Sequence, residues 1–157
     1  MLSKDRLKEI TLFKELSEEE IEKVLTALED AFYKKGSTIW EEGAPEQGLQ
    51  IIDHGKVRIS RKTSEGHRQV LAVLKENNFF GELSLLDGRS HSAYAEALED
   101  TKVYILHRNN MEKLLQESPT TAYNIMRVLA IEICELLRQM NAKFMDMVNY
   151  VWEARDV

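Results

Sequence analysis

Phe79-Phe80-Gly81-Glu82-Leu83-Ser84-Leu85-Leu86-Asp87-Gly88-Arg89-Ser90-His91-Ser92-Ala93 is the stretch whose reading decides the fold. It begins apolar, breaks at Gly81 and carries one carboxylate, Glu82, at the break. A short apolar turn of helix follows, and a polar loop through Gly88 returns the chain to an extended course. A glycine lets the backbone come close to another group. The first turn of a helix presents N–H groups without intrahelical partners, and such an end favours an anion, phosphate above all. A carboxylate beside it can accept hydrogen bonds from hydroxyls. Amides for a phosphate and a carboxylate for hydroxyls together suit a ribose phosphate.

Working outward, the glycines on the N-terminal side set the texture. Gly36, Gly43, Gly48, Gly55 and Gly66 punctuate short extended segments: Ala31–Tyr33, Thr38–Trp40, Gln50–Asp53, Lys56–Arg61 and Gln69–Leu74. His54-Gly55 between two of them is a tight-turn signal. Strands resume after the quoted stretch at Ala93–Ala97 and Lys102–Leu106, where Val103 and Ile105 alternate with Lys102 and Tyr104. Many short strands with glycine turns predict a sandwich or barrel.

Helices flank this region. Residues 1–30 read helical: Leu2, Leu7 and Ile10 form a short stripe, Leu12-Phe13 a second contact, and Ser17 with Glu20 a capping box. Ile21, Val24, Leu25 and Leu28 then recur at helical spacing. After Leu106, Asn109 with Glu112 predicts a cap, with Met111, Leu114 and Leu115 on one face. Ser118-Pro119 restarts a helix, proline being tolerated at the first helical position. From Thr120 to Arg155 no Gly or Pro intervenes, and Ala122, Ile125, Leu129, Ile133, Leu136, Met140, Phe144, Met147 and Val151 are spaced by threes and fours. Such a helix would run about 50 Å, more than one small barrel covers. A one-sided apolar stripe of that length predicts a partner, and a second copy is the nearest supply.

The chain has 157 residues, 43% hydrophobic and 31% charged, with formal charge −6 and pI near 5.3. An acidic chain is a poor nucleic-acid binder, since affinity there is dominated by Lys and Arg on phosphates. No apolar run reaches the roughly 20 residues of a membrane span, and no signal-peptide core opens the sequence. The single cysteine, Cys134, excludes an internal disulfide framework and a CxxC metal pair, and the expected location is cytoplasmic. His54, His67 and His107 lack ligand spacing, so no metal is expected. No nucleophile–base pair or paired carboxylates stand out, and an enzyme is not expected.

The quoted stretch resembles the phosphate-binding cassette of the cyclic-nucleotide-binding domain family, which includes catabolite activator proteins, protein kinase A regulatory subunits and cyclic-nucleotide-gated channels. The family pattern, F-G-E-[LI]-[AS]-L-L followed by a short loop and R-[ST]-A, is intact here through Phe80–Leu86. Two weaker similarities accompany it: Leu12-Phe13-Lys14-Glu15-Leu16-Ser17 resembles the usual opening, and Gln47–Gly55 keeps the apolar positions and closing glycine of the third-strand run. There Gln47 and Gln50 replace the usual acid and tyrosine, departures expected to touch the loop and rim. The resemblance implies an α+β, mainly β, fold: an eight-stranded jelly-roll-like β-barrel with N-terminal helices, a short cassette helix and a long C-terminal dimerisation helix. The chain then reads as one domain, with helices over 1–30, the barrel over 31–107, the cassette over 79–93 and C-terminal helices over 108–157. Bacterial transcription regulators of this family carry a helix-turn-helix domain after the long helix; the sequence up to Val157 contains none.

The same resemblance implies the site. Gly81, Glu82 and the amides of Leu83 and Ser84 would meet ribose and cyclic phosphate, with Ser92 donating one further bond. The bland alternatives are that Glu82 bonds cassette amides and that Ser92 only starts a strand. The family's arginine slot holds His91. Arginine offers a fixed charge and a planar fork, whereas imidazole offers one bond and is mostly neutral above about pH 6.5. Three arrangements stay open: His91 protonated by the phosphate, Arg89 swinging in to replace the charge, or a pocket that has lost its nucleotide. Gln139, Met140 and Asn141 on the long helix would face the base, or else form a solvated face and a dimer seam. Cys134 reads as a small packed residue near that seam. Two functions follow: a regulatory, signal-transducing module of bacterial sensor type that binds cAMP or cGMP and transmits through the long helix, or an interaction and oligomerisation module with a degenerate pocket. Either implies a homodimer through residues 119–155 and no resident cofactor.

Overall fold

A computed structural model describes residues 3–153. They form, in order, α1 (Lys4–Glu9), a 3-10 turn (Thr11–Phe13), α2 (Glu18–Ala27), β1 (Leu28–Tyr33), β2 (Thr38–Trp40), β3 (Leu49–His54), β4 (Lys56–Lys62), β5 (Arg68–Lys75), β6 (Phe79–Phe80), α3 (Glu82–Asp87), β7 (Tyr94–Ala97), β8 (Thr101–Leu106), α4 (Arg108–Glu117) and α5 (Pro119–Glu153). The eight strands make two antiparallel four-stranded sheets, β1-β8-β3-β6 and β2-β7-β4-β5, the jelly roll expected, split into two faces.

The strands at the centre explain the layering. In β3, Leu49 and Ile51 point to the helices, while Ile52 points between the sheets. In β8, Tyr104 and Leu106 face the helices, and Val103 and Ile105 the other sheet. A strand buried on both faces loses the in-out alternation of a half-exposed one, which is why Tyr104, polar in the sequence pattern, is fully buried. One apolar cluster joins α1, α2, α4 and the start of α5 to the first sheet, through Leu7, Ile21, Leu114, Ile125 and Leu129. The second lies between the sheets and holds Trp40, Ile52, Val57, Phe80 and Ala95. The cassette belongs to both: Phe80 sits in the sandwich core and Leu85 in the helical one.

The structure differs from the sequence reading at three places. The N-terminal helical region stops at Ala27, not Asp30, because Leu28–Tyr33 pair with Leu106–Thr101 along β8. Asn109 is not the cap of α4; His107 holds that position without a side-chain bond. Its neighbour Asn110 instead donates to the Ala27 carbonyl at 2.8 Å, tying α4 to the end of α2. Gln50 is not on the rim but fully buried in β3, with Oε1 unpartnered. The Ser17–Glu20 capping box is formed in both directions, and Pro119 opens α5.

A polar latch fixes α1 to the sheet. Arg6 Nε donates to Asp53 Oδ1 at 2.7 Å, Nη1 to Asn77 Oδ1 at 2.7 Å and Nη2 to the Asp53 carbonyl at 3.0 Å. Asn77 stands in the left-handed region at φ 69°, two residues before β6 and the cassette. α5 packs on α4 and on the Thr11–Phe13 turn. Its last buried residue is Leu129, and beyond it Leu136, Leu137, Met140, Phe144 and Val151 are exposed.

Candidate functional site

β6 delivers the chain to Gly81, which stands at φ 86°. A Cβ there would lie 2.8 Å from the Gly48 carbonyl oxygen and 3.1 Å from the Trp40 ring. Gly48 is equally restricted, at φ 86° with Ile105 2.8 Å from a would-be Cβ. Two glycines therefore let the cassette and the loop before β3 meet backbone to backbone. α3 begins next, and Gly88, at φ 71°, ends it by donating its N–H to the Ser84 carbonyl at 2.9 Å.

Glu82 occupies the first position of α3. Burial pushes its carboxyl above the ordinary value, and hydrogen bonds from the Glu82 and Gly81 backbone oppose that rise in part. The carboxyl is thus held beside the cassette amides while partly withdrawn from water. Ser84, two residues on, is buried. Its hydroxyl lies 3.3 Å from His91 Nδ1.

His91 fills the arginine slot as a core residue, 4% exposed. Its N–H donates to the Ala44 carbonyl at 2.9 Å, and its carbonyl accepts from Gly43 N–H at 2.8 Å. This two-bond bridge turns the ring inward and its successor, Ser92, outward and exposed. The imidazole lies flat on Trp40, ring centroids 3.7 Å apart and planes 6° from parallel. Trp40 is itself fixed by a bond from Nε1 to the Ala93 carbonyl at 3.1 Å and by a tilted contact with Phe80. Burial lowers the His91 pKa below its ordinary value, with the nearby Glu46 carboxylate opposing; the imidazole is neutral at pH 7. Nε2 is buried without a partner.

The remaining candidates are spread out. Arg89 points to solvent, its guanidinium 3.7 Å from Asp87 and its backbone N–H bonded to the same carboxylate at 2.9 Å. Leu83 is exposed. Gln139, Met140 and Asn141 lie on the exposed part of α5, as does Cys134. The structure therefore gathers Gly81, Glu82, Ser84 and His91 into one cluster, with Leu83 and Ser92 at its rim. Trp40, Glu46 and Gly48 complete the cluster; the sequence marked Gly48 only as a turn glycine and did not single out Trp40 or Glu46. A lone tryptophan closing a short strand before a glycine loop was the available signal for Trp40. Among the described residues no group of three or more His, Cys, Asp or Glu is placed to hold a metal, and no helix is long and apolar enough to cross a membrane.

The fold is a jelly roll with a short helix between its sixth and seventh strands and an αL glycine at that helix's head. Residues 31–118 match the sequence family described as cyclic nucleotide-binding domain, and the chain belongs to it. It is similar to the cyclic AMP receptor protein of Thermus thermophilus, 36% identical over 124 residues, which cover 79% of this chain and 57% of that protein. The crystal structure of the Thermus thermophilus catabolite activator protein superposes with TM-score 0.74 at 33% identity, over 84% of this chain and 62% of that one. A cyclic nucleotide-binding domain from Methylobacillus flagellatus shares the fold with TM-score 0.83 at 21% identity, over 90% and 82% of the two chains. The chain spans about half the length of the curated relatives it matches, 57% and 52% for the first two.

Proposed function

We propose that this chain is the sensing module of a homodimeric regulator: it binds a cyclic nucleotide, cAMP or cGMP, at the cassette and passes the change to α5. The observation that carries this reading is the shared core: Leu85 of α3 lies in one apolar cluster with Ile125 and Leu129 of α5. A cassette that shifts on binding disturbs the core that α5 shares with it. Such a shift is only as large as the ligand's preference for one helix position over the other. The N-terminal helices, sheets and C-terminal helices act here as one unit.

The binding chemistry follows from the cluster. Hydroxyls of the ribose bond Glu82, and the cyclic phosphate lies at the first-turn amides of α3 and the Ser92 hydroxyl. His91 supplies no permanent charge, so the anion itself must raise the imidazole pKa and draw a proton onto Nε2. Without the fixed fork, affinity falls by one charge-assisted bond, about 1.5–3 kcal/mol. The exposed apolar half of α5, which carries Gln139, Met140 and Asn141, forms the dimer seam. The chain performs no catalysis, touches no nucleic acid itself and acts in the cytoplasm.

A second reading has its own observation. His91 stacked and neutral on Trp40, with Arg89 turned to solvent, makes a self-contained core, as an interaction and oligomerisation module with a degenerate pocket would have. Calorimetric titration of the protein and of Glu82→Ala with cAMP and cGMP separates the two. Heat with the parent that disappears in the variant supports the sensor; no heat with either ligand supports the module.

A further inference from the structure

β5 is the outer strand of its sheet and pairs with β4 alone. Soluble proteins usually keep such edges short, charged or covered, because the free main-chain groups invite another strand. β5 is eight residues long. Val70, Leu71 and Val73 on it are 46%, 55% and 55% exposed. No proline interrupts the 56–75 hairpin.

The register shows what stands beside those side chains. Arg58 pairs with Val73 on one side and Glu96 on the other; Ser60 pairs with Val70 and Tyr94; Lys62 pairs with Arg68. Directly paired residues share a face of the sheet, so Val70 and Val73 lie among Arg58, Lys62, Arg68 and Tyr94. The Arg68 guanidinium sits 4.1 Å over the Tyr94 ring and the Lys62 ammonium 5.6 Å over it. Glu96 alone serves both arginines, at 2.8 Å for Arg58 and 3.5 Å for Arg68. The hairpin carries Lys56, Arg58, Arg61, Lys62, Arg68 and Lys75 against Glu65 alone, in a chain of formal charge −6.

We propose that the free edge of β5 and the basic face of Arg58, Lys62 and Arg68 dock an extended acidic segment of a partner polypeptide, added to the sheet as a further strand. Strand addition draws affinity from main-chain hydrogen bonds and selectivity from alternate side chains. On this face the partner's acids meet Lys62 and Arg68, and its apolar residues meet Val70 and Val73. A duplex or a bilayer offers phosphates to the cations but no main chain to the ladder.

The test uses the whole chain and a capped, fluorescein-labelled peptide of Val-Thr-Glu-Thr repeats, in which Val and Glu share one face of an extended strand, read by fluorescence anisotropy at low salt. Hydrogen exchange follows the β5 amides. Lys62→Glu with Arg68→Glu reverses two exposed charges, and circular dichroism confirms that the fold is retained. The expected result is protection of β5 amides on peptide addition and a loss of about tenfold in affinity in the reversed variant. A peptide of Val-Thr-Lys-Thr repeats should bind that variant and not the parent. Equal affinity in parent and variant, absent protection of β5, absent binding, or preferential binding of phosphatidylserine vesicles or duplex DNA at the same salt would each overturn the proposal.

Discussion

The imidazole of His91 lies on the indole of Trp40 with centroids 3.7 Å apart, so the position that the proposed binding would set against a phosphate is packed as core. Trp40 in turn touches Phe80, which leads into the cassette, and closes on the site of a Gly81 Cβ. The slot at residue 91 and the sandwich core are one packing unit. His91→Arg restores a fixed cation and a second bond to phosphate. Cyclic-nucleotide affinity is expected to rise about 10- to 100-fold by calorimetry, and an unchanged constant would show that no phosphate sits at residue 91.

Burial of His91 also makes stability depend on pH. Its folded pKa lies below the ordinary value, so between the two the unfolded chain binds more protons and stability rises with pH. Stability is therefore lost as pH falls below about 6.5. His91→Phe keeps a ring on Trp40 and removes the proton site. Urea denaturation from pH 7.5 to pH 5 should show the parent losing more stability than this variant; parallel curves would refute a buried neutral imidazole.

Gly81 tests whether the left-handed turn is required. Alanine there meets φ 86° and the Gly48 carbonyl at 2.8 Å, a strain of about 1–3 kcal/mol. Gly81→Ala should lower the melting temperature, whereas Gly66→Ala, also at positive φ but with open space around its Cβ, should cost less. Similar losses at both positions would mean that the close approach to Gly48 contributes nothing.

Glu82 separates a binding carboxylate from a structural one. Its folded pKa is raised by burial, so above its ordinary value the charged form weighs against the fold, and stability falls as pH rises through the folded pKa. Glu82→Gln should leave thermal stability at pH 7 equal or slightly higher while weakening nucleotide binding. A clear loss of stability would assign Glu82 to bonding the cassette amides alone.

The far half of α5 predicts self-association. Phe144 and Met140 are each 58% exposed in the single chain, on a stripe continuous with the buried Ile125 and Leu129. Light scattering at tens of micromolar should give a dimer for the parent and a monomer for Phe144→Asp. A monomeric parent would remove the seam from the account.

Much of this architecture was legible because its signals are local. The glycine-punctuated strands, the Ser17–Glu20 box and the uninterrupted stripe from Ala122 each depend on neighbours in the sequence. The failures are tertiary. Leu28 continues a helical spacing, yet pairing with Leu106 makes it strand. Asn110 caps a helix far away in sequence rather than its own. At the site, Gly81 and Glu82 were visible as a motif, but Trp40 was not. Its contact with His91 joins the end of β2 to the loop after α3, beside a Gly43–Ala44 bridge that no periodicity announces. Arg89 sits two residues from the slot, yet the Asp87 carboxylate and the inward turn of His91 leave it in solvent.

Calorimetric titration with cAMP and with cGMP, up to millimolar ligand at pH 6 and pH 8, addresses the cassette itself. A neutral imidazole that must take up a proton to hold phosphate predicts measurable binding of one or both, tighter at pH 6, with a heat that varies with the ionisation enthalpy of the buffer. No heat at either pH, together with a melting temperature unmoved by ligand, would contradict the sensor and leave the dimeric interaction module in its place.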